Sequence, residues 1–312
     1  MKILITGGSS FTGYWFVKEL AAAGHEVVVA FRGQATDHYR EVGRRTRVEI
    51  LTQVCRPVFG TSFGDDRFLQ LANKNKWDLL CHHAAEVGDY RSAHFNVTAA
   101  VEKNTFRLPQ VLDALRVAGC TKIVLTGSVF ENDEGAGSKP LRAFSPYGLS
   151  KGLTWQVFRY YAESRMIDLG KFVIPNPFGP YEEPRFTHYL LKNWFTGLTP
   201  TVNTPAYVRD NIPVTLLAKA YVHFTETLGQ GVSRINPTGY VESQATFARR
   251  VANEISKRLG LRCEISQNEQ CDFSEPLIRI NTDVVDAKAF NWSNDRAWDE
   301  YAEYYARIMT RA

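Results

Sequence analysis

The sequence lacks most of the features that mark membrane, nucleic-acid-binding or disulfide-stabilised proteins. Its five cysteines are odd in number and form no Cys-x-x-Cys pair, which is typical of free thiols in a reducing compartment. Its net charge of +4 is too small to indicate a nucleic-acid partner. No apolar run approaches the roughly 18 to 20 residues that span a bilayer, and the apolar start is too short for a signal peptide. We therefore expect a cytoplasmic protein with no nucleic-acid or membrane partner.

The first thirty residues carry the clearest structural signal. The apolar run Ile3–Ile5 stops at a glycine turn, Thr6–Gly13, and helical spacing follows from Tyr14 to Ala23 before a second apolar run, Glu26–Phe31. Strand, helix and parallel strand in this length predict a βαβ unit. A helix N-terminus behind such a turn favours an anion, so the stretch predicts a pyrophosphate site, with a plain strand-to-helix turn as the alternative.

The end of the second predicted strand bears on the choice of cofactor. Dinucleotide folds usually place an acidic residue there, against the adenosine ribose, but this chain has Phe31, Arg32 and Gly33. An arginine suits a 2′-phosphate, so Arg32 favours NADP(H), with NAD(H) as the alternative. A solvated loop arginine is the plainer explanation. Farther on, Arg47–Leu51 is predicted as a third strand and residues 52–64 as irregular.

Two adjacent histidines, His82 and His83, follow a buried apolar run that begins at Trp77. Neighbours in a strand point to opposite faces, and no third ligand is spaced to join them. We therefore predict no metal site.

Tyr147 and Lys151 are four residues apart at the head of a segment with helical periodicity, Leu149–Ser164. That spacing places both side chains on one helix face. A nearby ammonium group favours the phenolate of a tyrosine, and a hydroxyl at a neighbouring strand end can hydrogen-bond the reacting oxygen. Such a strand is predicted at Thr121–Leu125, ending in Thr126-Gly-Ser128. A surface tyrosine and lysine on an amphipathic helix are the alternative.

Together these motifs resemble, in order along the chain, those of the extended short-chain dehydrogenase/reductases. The closest resemblance is to the NAD(P)-dependent sugar-nucleotide epimerases, dehydratases and ketoreductases. The segments that carry it are Thr6–Gly13, His82–Ala85, Asn104, Thr126–Ser128, Tyr147–Lys151, Asn176–Pro180, Val208–Val214 and Ala287–Ser293. The last of these resembles the family's closing helix and tryptophan turn.

The resemblance implies an α/β fold: a Rossmann-type doubly wound parallel sheet with a smaller C-terminal α/β substrate domain. Residues 1–176 would form the NAD(P)-binding domain, with returning segments near 212–238, and residues 177–312 the substrate domain. Helices near 104–118 and 147–164 are where the family pairs its subunits, so a homodimer is expected by analogy.

The resemblance also implies roles for individual residues. Tyr147 would be the acid/base, and Lys151 would tune it and bind the nicotinamide ribose. The diphosphate of the sugar nucleotide would meet Asn176 and Arg209. The pyrophosphate of the cofactor would be held by Gly7, Ser10, Phe11 and Gly13, and the cofactor would be lined by Ala84, Ala85 and Thr126.

The sequence departs from the family pattern in several places. Ser10 replaces a glycine of the turn. One counting register puts Ser128 at the catalytic hydroxyl and the other puts Thr126 there; we favour Ser128. Neither register provides the Asp-Glu pair of the family's dehydratases, although Glu131, Asp133 and Glu134 lie close by in sequence.

We therefore expect an NADP(H)-dependent oxidoreductase acting on a nucleoside-diphosphate sugar, with reduction of a 4-keto sugar as the favoured reaction. A 4-epimerase is the first alternative and a dehydratase the second. A non-catalytic Rossmann protein that senses redox state or binds a partner is the alternative from another class.

Overall fold

The computed structural model describes residues 1–90, 92–271 and 273–310. Its strands are β1 (Lys2–Thr6), β2 (Glu26–Ala30), β3 (Arg56–Val58), β4 (Leu79–His82), β5 (Lys122–Ser128), β6 (Ala136–Gly137), β7 (Asp168–Ile174), β8 (Asn176–Phe178), β9 (Thr201–Val202), β10 (Val208–Pro213), β11 (Val232–Ile235), β12 (Pro237–Thr238), β13 (Tyr240–Ser243), β14 (Ser266–Gln267), β15 (Ile278–Ile280) and β16 (Asp283–Val284). Its helices are α1 (Phe11–Ala22), α2 (Val42–Leu51), α3 (Asp66–Lys74), α4 (Val97–Asn104), α5 (Leu108–Val117), α6 (Pro146–Glu163), α7 (Phe186–Phe195), α8 (Val214–Glu226), α9 (Gln244–Leu259) and α10 (Asn294–Met309). A short 3-10 helix covers Thr36–His38.

A parallel sheet forms the first of two compact units, which comprises Met1–Glu134, Arg142–Ile174 and Ala218–Asn236. The strand order is β11-β7-β5-β4-β1-β2-β3, and every neighbouring pair is parallel. Apart from their first residues, β1 and β2 are wholly buried, as strands covered on both faces must be. The order reverses between β1 and β4, and ligands of open α/β sheets bind outside the carboxyl ends of strands at such a point. The predicted doubly wound sheet is confirmed.

The core of this unit joins the sheet to three helices. Leu4 and Leu80 of the sheet belong to one cluster with Phe68 of α3, Leu112 of α5 and Phe158 of α6, all fully buried. This packing fixes α6 relative to the sheet and thereby positions the residues near its N-terminus.

The second unit comprises Gly135–Leu141, Pro175–Leu217 and the residues from Pro237 onward. Its main sheet has the order β13-β10-β15-β6, with β8 pairing along β10. Aromatic side chains from α7, α9 and α10 fill its core, among them Trp194, Phe247 and Trp298. The aromatic density of this part of the chain is thus core packing.

Two sequence predictions near Arg47 are wrong. Arg47–Leu51 is the end of helix α2 and not a strand; the third strand is β3, inside the stretch expected to be irregular. The carboxylate of Glu41 caps this helix by accepting from two of its first N–H groups. Glutamate is not a favoured N-cap residue, so the helix start was hidden in the sequence.

The C-terminal helix also differs from expectation. The closing helix was expected within Ala287–Ser293, but it begins at Asn294, behind the N-cap Ser293. Its buried residues Trp298, Tyr301, Ala302 and Tyr305 have helical spacing that could have been recognised. Among the described helices, none has the length and apolar character needed to cross a membrane.

Candidate active site

The turn after β1 lies against the end of β4 and leaves no room for side chains at two of its glycines. Gly7 has φ +79°, and a Cβ there would stand 2.6 Å from the backbone nitrogen of Ala84. A Cβ on Gly13 would stand 2.2 Å from the carbonyl oxygen of Gly7. Both distances are shorter than real contacts, so the turn requires glycine at both positions.

Ser10, at a glycine position of the family pattern, is the N-cap of α1. Its backbone is extended, with φ −74° and ψ 167°, so a side chain fits without strain. Its hydroxyl donates to the Gly7 carbonyl at 3.0 Å and accepts from the Gly13 N–H at 3.2 Å. The serine therefore closes the turn and caps the helix. The N–H groups of Phe11 and Thr12 open the helix without intrahelical acceptors, which suits a pyrophosphate.

Small residues follow β4 beside this turn. Ala84 and Ala85 are half-buried. The Ala84 N–H donates to the hydroxyl of Thr6, the last residue of β1, at 3.1 Å. Because parallel strands end at one edge of a sheet, the turn, Ala84 and the end of β5 share that edge.

His83 links the glycine turn to β5. Its Nε2 lies 3.0 Å from both Ser10 Oγ and Thr12 Oγ1, and its Nδ1 lies 3.0 Å from Thr126 Oγ1. Because the Ser10 hydroxyl donates to the Gly7 carbonyl, the network assigns the ring proton to Nε2 and makes Nδ1 the acceptor for Thr126. Burial lowers the pKa of His83 to about 3, so the ring is neutral near pH 7.

His82 has different neighbours from His83. Its Nδ1 lies 2.9 Å from Thr6 Oγ1, and its ring packs against Phe63 and Phe158. Burial lowers its pKa to about 3. Within the described ranges, no three His, Cys, Asp or Glu side chains are grouped so as to hold a metal ion.

The two candidate hydroxyls at the end of β5 differ in whether the hydroxyl hydrogen is already used in a hydrogen bond. The Thr126 hydroxyl is only 4% exposed and donates to His83. Ser128 is half-buried, its Oγ accepts from the Phe130 N–H at 3.2 Å, and none of the described residues accepts its hydrogen. The geometry favours Ser128, and its catalytic role stays a prediction.

Lys151 reaches the same strand end from α6, whose N-cap is Ser145. It is 5% exposed, and its Nζ donates to the Thr126 carbonyl at 2.6 Å. Burial lowers the pKa of Lys151 to about 8; the charge of Glu131 opposes this shift, and that of Lys171 adds to it. An ammonium group with a pKa this close to neutrality can still be charged when it meets a cofactor or a phenol.

Tyr147 is half-buried at the start of α6 among aromatic rings. The ring centroids of Tyr90 and Phe95 lie 5.9 and 6.0 Å from its own, both edge-on. The next residue, Gly148, allows α6 to approach the backbone after β5, because a Cβ there would stand 2.2 Å from the Phe130 carbonyl oxygen. The helix that carries Tyr147 is thus seated directly on the segment that follows Ser128.

The acidic residues after β5 point inward. Lys171 Nζ lies 2.5 Å from Glu131 Oε2 and 2.5 Å from Glu134 Oε1, and all three side chains are at most 4% exposed. Asp133 is exposed. Glu131 and Glu134, which follow the candidate hydroxyls closely in sequence, are therefore held in buried ion pairs.

Arg32 lies just beyond β2 and is exposed. Within the described parts of the chain its guanidinium has no hydrogen bond or ion pair. The nearest acidic residues that follow it in sequence are Asp37, in the 3-10 helix, and Glu41, which caps α2. No acidic side chain occupies the end of β2 itself.

Asn176 and Arg209 lie in the second unit. Asn176 opens β8 and pairs with Asn211 of β10, two residues beyond Arg209. Arg209 is 5% exposed; its Nη1 donates to the carbonyls of Pro276 and Leu277, and its Nη2 lies 2.8 Å from Glu275. The guanidinium predicted to bind a diphosphate is therefore engaged within the protein.

The sequence analysis missed three residues that shape the site. Lys171 interrupts an otherwise apolar strand, β7, which is a signal for a buried charge. Gly148 follows Tyr147 directly. Because glycine destabilises a helix, a glycine at this position indicates that another segment of backbone lies close to the helix. His83 was considered only as a metal ligand, and its hydrogen bonds to three hydroxyls leave no trace in sequence spacing.

A parallel sheet with a glycine turn at its switch point and a Tyr-x-x-x-Lys helix beside the next strand end defines a dinucleotide-binding oxidoreductase site. The chain belongs to the NAD dependent epimerase/dehydratase family, whose model matches residues 3–236. The chain is thus an enzyme of this NAD-dependent class, and the resemblance found in its sequence is confirmed.

Solved structures with the same fold include several sugar-nucleotide enzymes. UDP-glucose 4-epimerase of Thermotoga maritima, crystallised with UDP-glucose, has a TM-score of 0.75 at 18% identity over 99% of this chain and 100% of that one. UDP-glucuronic acid 4-epimerase of Bacillus cereus, with UDP-glucuronic acid and NAD, has a TM-score of 0.75 at 17% identity over the same shares. The dTDP-glucose 4,6-dehydratase DesIV of Streptomyces venezuelae, with NAD bound, has a TM-score of 0.75 at 19% identity over 100% of this chain and 98% of that one. Among curated protein sequences, none matches this chain significantly.

Proposed function

We propose that this protein is an NADP(H)-dependent reductase of a keto sugar carried on a nucleoside diphosphate, with the carbonyl at C4. The observation that carries the proposal is the placement of Lys151 and Ser128 at one strand end, with Tyr147 in the first turn of the helix that holds Lys151. Ser128 has a hydroxyl hydrogen to donate, Lys151 is fixed on the carbonyl of Thr126, and Tyr147 begins the helix that holds Lys151.

A nicotinamide cofactor bound on the glycine turn would supply hydride to the substrate carbonyl carbon. Ser128 donates a hydrogen bond to the carbonyl oxygen and orients it. Tyr147 transfers its phenolic proton to that oxygen as negative charge develops. Lys151 holds a positive charge near Tyr147, which favours the phenolate left behind, and it binds the nicotinamide ribose.

The cofactor preference rests on Arg32. Its exposed guanidinium follows β2, where an acidic residue would otherwise bind the ribose hydroxyls, and a 2′-phosphate would give it a charged partner. The residues of the turn fit the pyrophosphate, since Gly7 and Gly13 admit no side chain and α1 opens with free N–H groups. NAD is the alternative cofactor, and it is the one named with two of the similar structures described above.

The substrate would be a nucleoside-diphosphate sugar. Asn176 and Arg209 are the proposed diphosphate contacts in the second unit. Glu275, half-exposed at 49%, is the partner that an incoming phosphate would replace on Nη2 of Arg209.

A 4-epimerase is the second candidate. Two of the structures with this fold are 4-epimerases, and an epimerase would use the same three residues to oxidise the sugar and then reduce it from the other face. A dehydratase is disfavoured because Glu131 and Glu134 are bound to Lys171.

Purified protein tests the proposal in two steps. Mass spectrometry of the protein as isolated identifies any retained cofactor. An empty site that takes up NADPH supports the reductase. Tightly held NAD that is not consumed in the overall reaction supports the epimerase. NADPH oxidation is then followed with UDP-, dTDP-, GDP- and CDP-linked 4-keto sugars. Failure of every sugar, with a stable partner complex that forms regardless of Tyr147→Phe, would instead support the non-catalytic alternative.

A homodimer in the cytoplasm completes the proposal. Leu149, Leu153 and Tyr160 leave 41%, 42% and 68% of their surface exposed on α6, more than apolar side chains of an isolated monomer need to show. The five cysteines are free thiols, as a reducing compartment requires. Sedimentation equilibrium gives the oligomeric state.

A further inference from the structure

The segment after Ser128 is fixed from two sides within the first unit. On one side it lies on α6, where a Cβ on Gly148 would stand 2.2 Å from the Phe130 carbonyl oxygen and a Cβ on Gly152 would stand 2.6 Å from Asn132 Oδ1. These two glycines are one helical turn apart and form a smooth surface for the backbone. The strand end and the helix of Tyr147 are therefore in backbone contact.

On the other side, a buried ion pair holds the same segment. Glu131 is 0% exposed; its Oε2 receives Lys171 Nζ at 2.5 Å, and its Oε1 accepts the Ser128 N–H at 2.7 Å. One carboxylate thus connects β7 to the backbone of the candidate catalytic serine. Breaking a buried pair leaves an uncompensated charge, so this link is rigid.

Gly127 makes room for the lysine. A Cβ on Gly127 would stand 2.7 Å from Lys171 Cε and 3.2 Å from Glu131 Oε1. The glycine between Thr126 and Ser128 therefore leaves the space that the Lys171 side chain occupies. The Thr126–Ser128 motif and Lys171 thus pack together as one structural unit.

The same carboxylate acts on Lys151. The charged and titratable groups that interact with Lys151 include Glu131, Lys171 of β7 and the two neutral histidines at the end of β4, and Tyr147 precedes Lys151 by four residues on the same helix. Among these neighbours, Glu131 supplies the negative charge. The second carboxylate on Lys171, Glu134, lies instead toward Arg234 and Asn236.

We infer that Glu131, held by Lys171, is a positioning residue: it fixes the backbone of Ser128 within the segment on which the helix of Tyr147 and Lys151 is seated. The inference rests on the proposed function for its catalytic consequence. The electrostatic part, the action of Glu131 on Lys151, can be measured without any substrate.

The test compares Glu131→Gln with Glu134→Gln, which removes the same group from the same lysine without touching Ser128. Lysine side-chain NMR follows the titration of Lys151, whose signal is assigned by its loss in Lys151→Met. In the unmodified protein this titration is expected near pH 8. Glu131→Gln should lower the midpoint by about one unit or more, the usual effect of removing a close opposite charge, whereas Glu134→Gln should leave it in place.

Turnover provides the second reading. With an accepted keto sugar, the basic limb of the pH profile should move down with the Lys151 midpoint in Glu131→Gln. Glu131→Asp keeps the charge but is too short to reach both Lys171 and Ser128, so kcat should fall about tenfold with KM and the Lys151 midpoint nearly unchanged. If Glu131→Gln does not fold, Glu131→Asp is compared with Glu134→Asp by the same two measurements.

Equal shifts of the Lys151 midpoint in the two glutamine variants, or none in Glu131→Gln, would overturn the electrostatic part. Full kcat in Glu131→Asp would overturn the positioning part. A protein that reduces no sugar at all would refute the proposed function but would leave the titration comparison as it stands.

Discussion

The first unit presents its candidate functional groups at a sheet edge, whereas the second unit engages its candidates in internal contacts. Arg32 is exposed and, among the described residues, has no charged partner; Arg209 is 5% exposed and is bound to three carbonyls and a carboxylate. Both were assigned to phosphate groups by the same reasoning about guanidinium geometry. The difference teaches that a motif identifies a residue type at a position, while only packing decides whether that residue is available to a ligand.

The largest effect is expected at the glycine turn. Gly13→Ala places a Cβ 2.2 Å from a backbone oxygen, so the turn must distort. We expect a loss of cofactor affinity of about 100-fold, corresponding to roughly 3 kcal/mol of overpacking. Fluorescence titration with NADPH measures it. Gly229→Ala is the matched control, because its Cβ would meet nothing within 4 Å; equal losses in both variants would contradict the steric account.

Arg209→Met tests whether the second unit depends on its arginine for stability. Removing the guanidinium takes a hydrogen-bond donor from three carbonyl oxygens and from Glu275, which should cost about 2 to 4 kcal/mol of unfolding free energy. Urea unfolding followed by tryptophan fluorescence reports it. Arg249→Met, at an exposed position of α9, is the control. An Arg209→Met protein as stable as the unmodified protein would reverse our comparison of the two units.

Arg32→Ala should show the opposite behaviour, with lost cofactor affinity and unchanged stability. Removing a charged hydrogen-bond donor from a 2′-phosphate is expected to weaken NADPH binding by about 10- to 30-fold, or 1.5 to 2 kcal/mol, and to leave NADH binding alone. Parallel titrations with the two cofactors decide it. Arg56→Ala, exposed at the start of β3, controls for general charge. Equal weakening of both cofactors would remove the case for NADP.

A further prediction concerns pH. Burial lowers the pKa values of His82 and His83 to about 3, below the ordinary 6.5 of the unfolded chain. Between these values the unfolded state binds protons that the folded state does not, so stability is lost as the pH falls below about 6.5. Each histidine should contribute about 1.4 kcal/mol per pH unit. Urea unfolding at pH 7 and pH 5 measures the slope, and His83→Gln should reduce it by half; an unchanged slope would mean that His83 is accessible to protons.

Features that depend on neighbouring residues could be predicted from the sequence, whereas contacts between residues far apart in the chain could not. Local patterns identified the β1 turn and the helix of Tyr147 and Lys151, because each depends on residues within one or two turns of one another. The helix α2 escaped because Glu41 caps it in place of a usual cap residue. The bond between Glu131 and Lys171 joins residues forty positions apart, and no spacing rule reaches that far. The internal contacts of Arg209 depend on the pairing of its strand, β10, with β15, which follows much later in the chain.

The two hydroxyls of β5 illustrate what packing adds. Counting along the chain left both Thr126 and Ser128 open. The ring of His83 distinguishes them, since it accepts the Thr126 hydrogen and leaves that of Ser128 unused. A side chain considered only as a metal ligand thus bears on the choice of the catalytic hydroxyl.

Single-turnover oxidation of bound NADPH in Tyr147→Phe tests the central claim most directly, with Tyr90→Phe as its control. The two variants lose the same hydroxyl from rings in edge contact, but Tyr147 alone is the proposed proton donor. We predict that Tyr147→Phe binds NADPH normally and slows hydride loss to the keto sugar by about 100- to 10,000-fold, the usual worth of a positioned general acid. A Tyr147→Phe protein that oxidises NADPH as fast as the unmodified protein would contradict the account.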